Sequence, residues 1–199
     1  MDPESALARL KAGNERYRSG AYTRREFNFS DHVDGQTPFA MILGCADSRV
    51  PAELVFDQGL GDLFIVRVAG NIATPSQVGS IEFAATKFGS RLAVVLGHSH
   101  CGAVNATLSH IDTGEPPPTD NLASVIDDIA PHLTDVTRCK WHDETAREAA
   151  AVDANVRANV TALHERSPVL KDLVERGELK IVGARYDLED GVVTFLDDA

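Results

Sequence analysis

The chain has 199 residues, 43% of them hydrophobic and 25% charged, the balance of an ordinary globular protein long enough to bury about two-thirds of its unfolded surface in one core. Nineteen Lys and Arg against 30 Asp and Glu leave a net charge of −11, which repels phosphate and excludes nucleic acid and anionic membrane surfaces as expected partners. No apolar run reaches the roughly 18 residues of a membrane span, residues 1–9 carry charges where a secretory leader needs an apolar stretch, and three cysteines are too few for a disulfide framework, so the expectation is a soluble, cytoplasmic protein.

Between residues 4 and 18, Ala6, Leu7, Leu10 and Tyr17 follow a helical stripe that Gly20 can stop. Residues 21–37 read as a polar, irregular arm, so 1–37 form an N-terminal helix and arm ahead of the main body. Residues 39–43 make a nearly continuous apolar run ending at Gly44, the pattern of a parallel strand buried on both faces, and 63–68 and 92–96 repeat it. Between the last two, Val78, Ile81, Ala85 and Phe88 are spaced by three and four, which predicts the crossover helix of a βαβ unit. Past His98 a helix is expected from near Cys101 toward Ser109, ended by the proline-rich loop 114–118. Leu122, Val125, Ile126, Ile129 and Leu133 predict the next helix. Ala149, Val152, Val156, Val160 and Leu163 predict a long one, and 169–176 a short one closed by Gly177. Residues 179–186 and 192–196 flank Glu189-Asp190-Gly191, a turn between a fourth strand and an edge strand. The fold class expected is α/β, a single domain over 1–199 with a mainly parallel β-sheet flanked by helices, an antiparallel edge strand and the N-terminal helical arm.

Cys45 follows the first apolar run, His98 the third, and Cys101 comes three residues later. If those two strands are neighbours, with 63–68 on the far side of the first, strand order reverses between them and a crevice opens at their carboxyl ends. Cys45, His98 and Cys101 then converge, since neighbouring strands lie about 4.8 Å apart. Two thiolates and an imidazole suit zinc, and three protein ligands leave a fourth position for water. Singly, each residue reads more simply as core, because a buried cysteine is a small apolar residue and a lone histidine is usually a hydrogen-bonded structural one. In Cys45-Ala46-Asp47-Ser48-Arg49, Asp47 and Arg49 can form a bidentate pair beside the metal, or merely a loop salt bridge. His100, between two candidate ligands, and Cys139 with His142 read as incidental.

The runs 44–51, 56–67, Ala69-Gly70-Asn71 and Gly97-His98-Ser99-His100-Cys101-Gly102-Ala103 resemble the β-class carbonic anhydrases, and the likeness covers most of the chain. The resemblance implies one Zn2+ per chain held by Cys45, His98 and Cys101, with the Asp47–Arg49 pair beside it. It implies reversible hydration of carbon dioxide to bicarbonate and a proton by zinc-bound hydroxide, and a closed state in which Asp47 becomes the fourth ligand. It places Gln36 as a hydrogen-bond donor to substrate, puts Phe64 and Ala69 along the substrate pocket, and implies a homodimer or homotetramer clasped by the N-terminal helix. Ile42 stands where some members carry the tryptophan of a second bicarbonate pocket, and Ala103 replaces a common glycine. Rival readings are carbon disulfide or carbonyl sulfide hydrolysis on the same scaffold, or a non-catalytic zinc or redox-sensing protein.

Overall fold

The computed structural model describes residues 1–25 and 29–196. Strands β1 (Ala40–Cys45), β2 (Leu63–Val68), β3 (Leu92–His98), β4 (Lys180–Tyr186) and β5 (Val193–Leu196) form one sheet in the spatial order β2-β1-β3-β4-β5. The first four run parallel and β5 pairs antiparallel with β4. Among the described residues eight α-helices accompany them: α1 (Pro3–Ser19), α2 (Ala52–Val55), α3 (Pro75–Lys87), α4 (Gly102–Thr113), α5 (Asp120–Ile129), α6 (Thr134–Arg138), α7 (Glu144–Arg166) and α8 (Pro168–Glu175). None of the described helices is long and apolar enough to cross a membrane.

Parallel strands must be covered on both faces. Met41, Leu43 and Cys45 of β1 point into a core built with α3, α4, α7 and α8, while Ala40 and Ile42 point into a second core under α1 and α2. That is why the strands read as unbroken apolar runs rather than as alternation. The long helix α7 lies close on β3 and β4 because Gly97 and Gly183 offer no side chain there: a Cβ on Gly97 would stand 2.5 Å from Val156 Cγ2, and one on Gly183 2.7 Å from Val156 Cγ1.

α1 starts where Asp2 accepts from the Ser5 amide at 2.9 Å and stops at left-handed Gly20. The arm beyond it is tied down at Asp57, whose buried carboxylate accepts from Arg16, Arg25 and both the amide and hydroxyl of Thr23. Residues 26–28 of the expected arm lie outside the described residues.

Several boundaries differ from the sequence reading. β1 runs on through Gly44 to Cys45, and β3 through Gly97 to His98; Gly97 sits under α7 rather than in a turn. The helix expected over 122–133 ends at Ile129, since Pro131 has no N–H to continue it, and a 3-10 turn over Ala130–Leu133 leads into α6. α7 begins at Glu144, capped by Asp143 accepting from the Thr145 amide at 3.0 Å, where the residues are too polar to extend the apolar stripe.

Candidate metal centre

β1 and β3 are neighbours with β2 beyond β1, so strand order reverses between them and their carboxyl ends flank a crevice. Cys45 is the last residue of β1, His98 the last of β3, and Cys101 stands immediately ahead of α4. Their ligand atoms all lie within 4.8 Å of one another, and all three side chains are buried. Among the described residues this is the one group of three or more His, Cys, Asp or Glu side chains placed to hold a metal, and Cys139 and His142 stand exposed outside it.

His98 Nδ1 lies 2.9 Å from the Ser99 carbonyl, which fixes the proton on Nδ1 and leaves the lone pair on Nε2. That Nε2 is fully buried and has no hydrogen-bond partner. A buried nitrogen without a partner is costly, and here it faces two sulfurs, so the donor set fits a borderline-soft divalent cation such as zinc. Hydrogen bonding from the Cys101 thiol pulls Cys45 well below the ordinary thiol range, against the effect of burial. Cys101 is pushed up, since it holds the proton shared with Cys45 in a buried site. The N–H groups of Asp47 and Gly70 favour the Cys45 thiolate, and those of Ala103 and Val104, at the start of α4, favour that of Cys101.

Asp47 is gripped by Arg49: Nε donates to Oδ1 at 2.9 Å, an Nη2 proton to Oδ2 at 2.7 Å, and the Arg49 amide to Oδ1 at 3.0 Å. Arg49 thereby holds this carboxyl well below the usual range. Oδ2 lies 3.9 Å from His98 Nε2, so in this arrangement Asp47 borders the donors while bound to Arg49 rather than joining them. Arg49 Nη2 also reaches the carbonyl of His100, a left-handed residue (φ 55°) whose ring is 3.2 Å from Glu148. From β2, Arg67 donates to the carbonyls of Cys45 at 2.9 Å and Asp47 at 2.5 Å, pinning the loop that carries both.

The expected substrate residues do not gather together. Ala69 lies beside the centre, since β2 pairs Val68 with Cys45 and Ala69 follows it. Phe64 is four residues back along β2 from Val68, about 13 Å at roughly 3.3 Å per residue, its ring tilted against those of Phe83 and Phe88 with centroids 6.4 and 6.0 Å away. Gln36 is exposed, in a cavity shared with His32, Asp34 and Leu60, ahead of β1 at the other end of the sheet. The length of β1, about 17 Å, separates it from Cys45. The sequence reading assigned no role to Arg67 or to Asn155 and Asn159 of α7. The signal for the asparagines is two amides one turn apart on a helix whose neighbouring positions, Val152, Val156 and Leu163, are apolar and buried.

A family model described as carbonic anhydrase matches residues 40–193. Carbonic anhydrase 2 of Mycobacterium tuberculosis (strain CDC 1551 / Oshkosh) is 40% identical over 98% of this chain and 94% of its own length. A carbonic anhydrase of Pseudomonas aeruginosa is 35% identical over 92% and 84% respectively. Among solved structures, a tetrameric β-carbonic anhydrase of Sordaria macrospora superposes with a TM-score of 0.76 at 22% identity, covering 98% of this chain and 95% of its own. A β-carbonic anhydrase of Aspergillus fumigatus gives 0.73 at 25%, covering 98% and 91%.

Proposed function

The chain belongs to the β-carbonic anhydrase family, and from that premise we propose that this carbonic anhydrase converts carbon dioxide and water reversibly to bicarbonate and a proton on zinc held by Cys45 Sγ, His98 Nε2 and Cys101 Sγ. The observation that supports it most is the buried, partnerless Nε2 facing two cysteine sulfurs at the crevice where strand order reverses. Zinc, when bound, would supply a Lewis acid that lowers the pKa of water and makes it a competent nucleophile. The protein supplies orientation. Asp47, kept ionised by Arg49, accepts a hydrogen bond from the attacking oxygen and so directs its lone pair toward the carbon of carbon dioxide. Arg67 and the His100 carbonyl hold the Asp47–Arg49 pair in place.

Gln36 and Phe64 lie too far along the strands to reach the centre of their own chain, so we assign them to the pocket of a second copy in a homodimer or homotetramer. The tetrameric assembly of the Sordaria macrospora relative supports that reading. We place the enzyme in the cytoplasm, with carbon dioxide and bicarbonate as its small-molecule partners.

The test is metal content together with stopped-flow carbon dioxide hydration for the wild type, Cys45→Ser and His98→Ala. One zinc per chain, hydration by the wild type and loss of both in the variants are expected. A metal-free chain that hydrates at the full rate refutes the zinc centre, and a zinc-loaded chain that hydrolyses carbonyl sulfide but leaves carbon dioxide untouched refutes the substrate.

A further inference from the structure

Helix α7 carries a polar seam where it crosses the segment after β2. Asn155, 1% exposed, donates through Nδ2 to the Gly70 carbonyl at 2.8 Å, and its Oδ1 accepts from Asn159 Nδ2 at 3.1 Å. Asn159, 2% exposed, accepts the Ala73 amide on its own Oδ1 at 2.6 Å, and Arg166 Nη1 donates to the Ala73 carbonyl at 2.8 Å. One helix therefore grips both ends of residues 70–73. Apolar side chains would anchor α7 to the sheet at lower desolvation cost, so packing alone does not account for two buried amides.

The gripped segment has an unusual shape. Gly70 (φ 71°, ψ 15°) and Asn71 (φ 47°) are both left-handed, in a short turn that neither strand nor regular helix imposes. The turn abuts the centre: Val68, two residues before Gly70, is the cross-strand partner of Cys45, and its carbonyl accepts from the Ala46 amide next to Cys45 at 3.2 Å. With the Gly70 carbonyl held by Asn155, the Gly70–Asn71 peptide plane cannot swing.

We infer that Asn155 is a positioning residue for the metal ligand Cys45, setting through the Gly70 main chain how tightly the Cys45–His98–Cys101 site holds zinc. The inference rests on the zinc reading of that site. Asn155→Asp keeps the shape and can still accept from Asn159, but it has no proton to give the Gly70 carbonyl. Asn14→Asp on α1 is the control, because Asn14 is also buried and donates to two carbonyls, those of Val55 and Gly191, under the opposite face of the sheet. The zinc dissociation constant is measured by competition with a chromophoric chelator, and the thiolate-to-metal absorption band is recorded after cobalt substitution. Asn155→Asp is expected to weaken zinc binding roughly tenfold or more and to shift the cobalt band, whereas Asn14→Asp lowers thermal stability and moves neither. Asn155→Ala, which adds no charge, is read in the same way. Wild-type zinc affinity and an unchanged cobalt band in both Asn155 variants overturn the inference, as does an equal loss of affinity in Asn14→Asp. A wild-type chain that binds no zinc overturns the zinc reading instead.

Discussion

Gly97→Ala tests how closely the architecture and the centre are joined. The added Cβ would stand 2.5 Å from Val156 Cγ2 and 3.0 Å from Val152 Cγ1, against about 3.5–4.0 Å for ordinary carbon contacts. Both neighbours are β-branched residues of α7 whose χ1 is stiff in a helix, so relief requires the helix to withdraw by about 1 Å. Overpacking of this kind costs about 1–3 kcal/mol, and stiffening of the unfolded chain offsets about 0.4–1 kcal/mol of it. A net loss of about 1–2 kcal/mol lowers Tm by roughly 2–8 °C in a protein of this size. Thermal unfolding followed by circular dichroism at fixed zinc measures it. Val156→Ala removes the nearer clash, so it should cost less in the Gly97→Ala background than alone, with a coupling of about 0.5 kcal/mol or more. A Gly97→Ala protein that melts at or above the wild-type temperature, or strict additivity in the double mutant, refutes the packing argument.

Asp47→Asn keeps the side chain's size but removes the charge that Arg49 holds, so turnover should fall about 10²–10⁴-fold while metal analysis still finds about one zinc per chain; unchanged turnover removes Asp47 from the reaction. Two thiolates would cancel the charge of a zinc ion, +2 − 2 = 0, so zinc held there would acidify water less than an all-histidine centre, where the water pKa is about 7. Hydration rates should accordingly climb through mildly alkaline pH, and a rate already at its plateau from about pH 6 upward would contradict this. Burial raises the Asp57 carboxyl, but Arg25, Thr23 and Arg16 outweigh it and hold the group well below its ordinary value of 3.8. With the folded pKa below the unfolded one, this stabilisation is present above the unfolded value and fades as pH falls below it. The urea midpoint of the wild type should therefore exceed that of Asp57→Asn near pH 6, with the gap shrinking by pH 3; a gap independent of pH refutes the ionic account.

Much of the site was legible because local pattern carried it. Strands buried on both faces leave continuous apolar runs, and Cys45, His98, Cys101, Asp47 and Arg49 all sit within a few residues of where those runs stop. Gly44 and Gly97 looked like stops, yet each lies inside a strand; for Gly97 the cause is Val156, some sixty positions away, and no local pattern records such an approach. Pro131 lay within an otherwise regular apolar period, and the period concealed the break it makes. The Asn155 and Asn159 seam became visible only once α7 was laid across residues 70–73, although polar residues beside an apolar helical stripe were its trace. Gln36 and Phe64 were assigned to the pocket by the resemblance alone, while the sheet register shows which end of the strands Phe64 occupies.

The most direct test of the central claim is zinc K-edge X-ray absorption on the purified enzyme, which reads the donor atoms themselves. The account predicts two sulfur scatterers at about 2.3 Å and two lighter ones at about 2.0–2.1 Å, one from imidazole and one from solvent. A shell of four sulfurs, or one with no sulfur at all, contradicts it.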